Sequence, residues 1–157
     1  MIRSTAIASI VLLLVGFAPS HAAAQPAATR SSASEIEAAT RRLVNRHRAS
    51  LGLEPFAYDA DVAFLAREHS ENMGRGKVPF GHAGFEARVE RADRGTSAAE
   101  NVAYSTRAEL AAADALKSWL RSRGHRENLE GDRLVTGIGA AIGSDGKIYI
   151  TQLFFRR

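Results

Sequence analysis

Two runs near the C-terminus, VTGIGAAIG (135–143) and KIYITQLFF (147–155), have β-strand character, and the SDG between them is a hairpin signal. Upstream of residue 130 the apolar residues recur mostly at helical spacing. A chain that begins in helices and ends in a hairpin must bury the hairpin against those helices. The expected class is therefore α+β, with helices packed on an antiparallel sheet.

The helices can be bounded residue by residue. Ser34 and Glu37 form an S-x-x-E capping box that opens the first helix. Ile36, Leu43, Val44, His47 and Leu51 mark its buried stripe, and Gly52 ends it. The second starts near Asp59 or Asp61, buries Val62, Leu65, Ala66, His69 and Met73, and stops at Gly74. A short third helix spans about Phe85 to Asp93 and closes at Gly95, and ENVAYS after it reads as extended. Thr106 and Glu109 make a second capping box, followed by Leu110, Ala113, Leu116, Trp119 and Leu120 along a longer helix. Gly124 stops that helix and leaves His125 just past its C-terminus, where a cation is favoured by the helix dipole.

The N-terminus reads as a secretory signal over residues 1–24: Arg3, an apolar core from Ala6 to Phe17, and the small-residue site Ala22-Ala23-Ala24. Residues 25–33 are small and polar and read as a disordered linker, which leaves residues 34–157 as the domain. The expected location is therefore secreted, extracellular or periplasmic, with no transmembrane segment after cleavage. The chain has no cysteine, so thiol catalysis, redox chemistry and disulfide stapling are all excluded. Lysine and arginine outnumber acidic residues 21 to 17. The surplus is small and scattered, and its densest patch, TRRLVNRHR at 40–48, reads as a solvated helix face rather than a nucleic-acid surface.

Several catalytic signatures are absent. REHSEN has its glutamate on the wrong side of His69 for a zinc-protease helix. No G-x-S-x-G elbow and no phosphate loop occur. Of the histidines outside the signal, His47 and His69 lie on apolar helical stripes and read as core residues. His82 and His125 lie in glycine-flanked segments, where binding residues concentrate. Taken locally, His125 is also satisfied by a capping role, and Glu100 by solvent or by a partner.

Five segments in order resemble the bacterial branch of the CAP superfamily, which covers cysteine-rich secretory proteins, venom allergens and plant pathogenesis-related proteins. They are FGH at 80–82, AENVAY at 99–104, WLRSRGHRENL at 119–129, TGIGAAIG at 136–143 and YITQLF at 149–154. The resemblance runs from about Glu35 to Phe155. It implies a CAP-type α-β-α three-layer sandwich with a central antiparallel sheet. It also implies that His82, Glu100 and His125 converge in one cleft, with Asn101 and Gln152 as candidate supporting residues, Gln152 orienting a histidine from behind. The second glutamate of eukaryotic members, three residues after the tryptophan, is Ser122 here, and AEN stands where GEN is commoner.

Two imidazoles and a carboxylate suit zinc or another divalent cation and leave a coordination position for water. The same three groups could instead bond to one another or to a ligand. The favoured reading is a non-catalytic binding module for a lipid, sterol or cell-envelope ligand, as the resemblance implies. The alternatives are a metal-dependent hydrolase acting on peptide or envelope material, and a partner-binding module with a vestigial cleft. Ser122, three residues before His125, is a weak candidate nucleophile.

Overall fold

The computed structural model describes residues 32–95 and 97–156. The signal (1–24) and linker residues 25–31 lie outside the described residues. Along the chain run α1 (Ala33–Ser50), β1 (Ala57–Tyr58), α2 (Ala60–Gly74), α3 (Phe85–Ala92) and β2 (Ala98–Ser105). A 3-10 turn (Ala108–Leu110), α4 (Ala111–Arg121), α5 (Arg123–Glu130), β3 (Val135–Ile142) and β4 (Ile148–Phe155) follow. The strands form one sheet in the order β1-β3-β4-β2. The β3–β4 hairpin and the β4–β2 pair are antiparallel, and β1 adds two residues parallel to β3 at the far edge.

Alternation along the strands assigns the two faces. Ile138, Ala140, Ile148, Ile150, Phe154 and Ala103 pack with Ile36, Val44, Trp119 and Leu129 of α1, α4 and α5. Leu153 and Phe155 pack with Val62, Leu65 and Ala66 of α2, and Phe85 and Val89 of α3 lie against that cluster. The result is the expected three-layer sandwich. Among the described residues, no helix is long and apolar enough to cross a membrane. The glycines of TGIGAAIG explain how closely α2 approaches the sheet. A Cβ at Gly139 would lie 2.0 Å from the backbone nitrogen of Arg67, and one at Gly137 would lie 2.1 Å from that of Ala63.

Several local expectations shift. The first helix is opened by Ser32, whose hydroxyl accepts from the Glu35 amide while the Glu35 carboxylate accepts from the Ser32 amide. The helical domain thus begins two residues before the expected boundary at residue 34. Glu37, released from capping, is buried and serves β3 instead. Strand β1 covers only Val135 and Thr136, and the amide of Ala140 beyond it donates to the Glu37 carboxylate at 2.9 Å. Leu51, assigned to the stripe, is exposed, while Arg48 of the supposedly solvated basic patch is buried. Its guanidinium bonds the carbonyls of Glu54, Leu129 and Gly131 and lies over the Phe56 ring, and burial lowers its pKa. Arg41, Arg42 and Arg46 are exposed, as expected of that patch.

The second capping box does not form. Ser105, rather than Thr106, accepts from the Arg107 amide, and its hydroxyl donates to Asp114 of α4. The α4 stripe is Ala111, Ala112, Ala115 and Trp119, so Leu110 and Ala113 are exposed. The break between α4 and α5 falls at Ser122, whose backbone is extended, and Gly124 sits inside α5.

Candidate functional site

Strand β2 is the outer edge of the sheet, so both helical layers can reach around it. Along β2 the odd positions face α4 and α5 and the even positions face α2 and α3. Glu100 therefore points into the α2/α3 layer, while Asn101 points the other way.

The Glu100 side chain is 1% exposed and is clamped by Arg88 of α3. The Arg88 Nε donates to Oε2 and Nη2 donates to Oε1, each at 2.9 Å. Nη1 of Arg88 donates to the Ala83 carbonyl at 2.8 Å, tying the pair to the loop that carries His82. The His82 Nδ1–H donates to Glu100 Oε1 at 2.9 Å, and half of the His82 side chain stays exposed. The same loop is pinned from α2, where Nε2–H of buried His69 donates to the Gly81 carbonyl at 2.8 Å. Burial holds the His69 pKa below the ordinary imidazole value.

His125 arrives from the other layer. It lies in the first turn of α5, not beyond the end of a helix, so the dipole disfavours a cation there instead of favouring one. Its pKa is lowered by burial and then by His82, whose ring centroid is 6.0 Å away. Asn101 holds this turn in place: its Nδ2 donates to the His125 carbonyl at 3.0 Å, and its Oδ1 accepts from Asn128 at 2.9 Å. Gln152, across from Asn101 in the sheet, donates to the Thr136 hydroxyl and bonds no histidine, and its Oε1 is buried without a partner among the described residues. It does not orient a histidine as expected.

Three separated segments thus meet at one edge, with His82 against Glu100 and His125 facing His82. They line or underlie a cleft of about 470 Å³ whose walls include Phe80, Val102, Tyr104 and Ser118 as well as the two imidazoles. Phe80 and Tyr104 are both about half exposed, with ring centroids 5.2 Å apart and planes nearly perpendicular. Ser122 is not among the cleft walls; Ser118, one turn earlier, is.

The three-donor metal set expected from the resemblance is not what these side chains form. Both carboxylate oxygens of Glu100 accept from Arg88, which leaves His82 and His125 as the available donors. Among the described residues, no group of three or more His, Cys, Asp or Glu side chains is arranged to hold a metal ion.

Arg88, and the hold of His69 on the Gly81 carbonyl, escaped the sequence reading. A signal for Arg88 exists: Phe85, Arg88, Val89 and Ala92 share one helical stripe, and an arginine on an apolar stripe needs a buried counter-charge. His69 was placed correctly in the core, but nothing local to α2 points to the loop it holds.

The chain is thus a three-layer α-β-α sandwich with an imidazole–carboxylate cleft at the β2 edge of its sheet. The model of the cysteine-rich secretory protein family, CAP, matches residues 41–154, and the chain belongs to that family. An extracellular SCP-domain protein of Bacillus anthracis is 28% identical with a TM-score of 0.65, over 79% of this chain and 41% of that one. An outer surface protein of Borrelia burgdorferi shares the fold at 18% identity and a TM-score of 0.67, over 80% of this chain and 96% of that one. A cysteine-rich secretory protein of Staphylococcus aureus does so at 19% identity and a TM-score of 0.64, over 80% of this chain and 40% of that one. The chain thus spans less than half of the Bacillus and Staphylococcus proteins. No curated protein matches it by sequence.

Proposed function

We propose that the domain is exported and acts as a non-catalytic binding module, taking a cell-envelope ligand in the cleft at the β2 edge. The observation behind this reading is the closure of Glu100. A hydrolytic carboxylate must reach water or a metal, and this one is 1% exposed and held by a bidentate arginine. Its remaining bond orients His82, so the group available to a ligand is an imidazole edge beside exposed aromatic rings. Export fits the signal-like N-terminus and the extracellular and outer-surface descriptions of the similar structures. Lipids and sterols are the ligands that the family resemblance suggests. Zinc or another divalent cation enters only through His82 and His125, and isothermal titration with zinc chloride measures whether those two donors suffice.

The test is co-sedimentation of the mature domain with a bacterial envelope fraction. The wild type is expected to sediment saturably, and the His82→Ala/His125→Ala double variant to remain in the supernatant. Equal sedimentation of the two, or none by either, contradicts the reading.

A further inference from the structure

The cleft walls narrow the ligand class, on the premise that the cleft is the binding site. No unbalanced charge is directed into it, because Glu100 lies beneath the wall and is neutralised by Arg88. An anionic headgroup therefore finds no guanidinium among the cleft walls, and the Lys147 ammonium over the Tyr104 ring is paired with Asp145. A sterol or acyl chain calls for an enclosed apolar pocket. Here Phe80, His82, Tyr104 and Ser118 are all exposed along the groove, and four of the walls, His82, Tyr104, Ser118 and His125, have polar tips.

What remains is a ligand that presents both C–H faces and hydroxyls and carries no net charge. The Phe80 and Tyr104 rings stand nearly perpendicular, so together they form a corner: a face on one side and an edge on the other. An aromatic face is electron-rich and attracts the weakly positive axial C–H groups of a pyranose. Beyond the corner, imidazole nitrogens and a serine hydroxyl both donate and accept, which matches hydroxyl groups better than it matches any ion. The cavity of about 470 Å³ suits a short run of sugar units. We infer that the cleft binds a neutral pyranose chain, one sugar stacked in the Phe80–Tyr104 corner and its neighbour hydrogen-bonded between His82 and His125.

The aromatic corner is rigidly backed. Tyr149, itself buried, lies 6.4 Å from both rings, and its hydroxyl donates to Asp145. The platform is thus fixed in advance of binding, which lowers the ordering cost for a weak, repetitive ligand.

Side-chain NMR of the mature domain tests this with cellotetraose, chitotetraose and maltotetraose as probes, and phosphatidylglycerol vesicles as a lipid control. Saturable shifts are expected at the Phe80, Tyr104, His82 and His125 rings with at least one of the three saccharides. Phe80→Ala and Tyr104→Ala should each weaken binding by about tenfold or more, the scale of one lost stacking contact. Both residues are exposed, so circular dichroism should show both variants folded. Cleft shifts that survive both substitutions overturn the inference. Shifts with vesicles or envelope extract but with none of the saccharides overturn the saccharide assignment and leave the binding reading standing. Cleft residues silent to every probe and to the extract overturn both.

Discussion

Glu37 and Glu100 are both buried, both near an edge of the sheet, and both clamped by two nitrogens of an arginine from the α2/α3 layer. They differ in their third partner. Glu37 accepts from the Ala140 amide and so completes the sheet where β1 is too short. Glu100 accepts from His82, a side chain half open to solvent, and so passes its orientation outward to a cleft. The same buried pair is therefore a patch on the backbone at one edge and the foundation of a cleft at the other. Burial and charge pairing do not separate these roles; the remaining hydrogen bond does.

The largest effect is expected from removing the arginine under the site. Arg88→Ala leaves the Glu100 carboxylate buried without its counter-charge, and urea unfolding should show a loss of about 3–5 kcal/mol. Replacing both residues, as Arg88→Met with Glu100→Gln, should recover much of it. The matching substitution at the other edge, Arg67→Ala, should cost less, about 1–2 kcal/mol, since Arg67 is 39% exposed and water can replace it. Equal losses at the two edges would break the comparison.

A pH series sharpens it further. Burial depresses the folded-state pKa of His69 below the ordinary value near 6.5, so the unfolded chain takes up its proton more readily. Its stabilising contribution is complete above that value and is lost as the pH falls below it. His125 is shifted in the same direction. Unfolding free energy should therefore fall between pH 7.5 and pH 5, and His69→Gln should flatten part of that slope while loosening the loop that carries His82. The smallest effect on stability belongs to His82→Ala, less than about 1 kcal/mol for so exposed a partner, although the same change should remove ligand binding.

These contrasts also show what the sequence could convey. The hairpin was legible because the two β-type runs and the SDG between them are local, and the α2 stripe from Val62 to Met73 because its period is regular. Capping was misread by two residues at α1 because Ser32, Ser34, Glu35 and Glu37 offer two overlapping boxes, and only the burial of Glu37 against β3 decides between them. Gly124 looked like a helix stop, yet it lies in an exposed first turn where nothing crowds it, and the break is set by the extended Ser122. The meeting of His82, Glu100 and His125 came from resemblance alone. No local pattern brings together residues 18 and 25 positions apart on opposite faces of a sheet. Arg88 was the missing link, and its place on an apolar stripe was the one clue in the sequence.

The central claim is that Arg88 and Glu100 together fix the ring of His82 toward His125. Long-range proton–nitrogen NMR of the histidine rings at pH 7.5 tests it directly. The claim predicts a proton on His82 Nδ1, directed at Glu100, and ring-to-ring nuclear Overhauser contacts to His125. A His82 ring whose Nδ1 carries no proton, or one with no contact to His125, would contradict it.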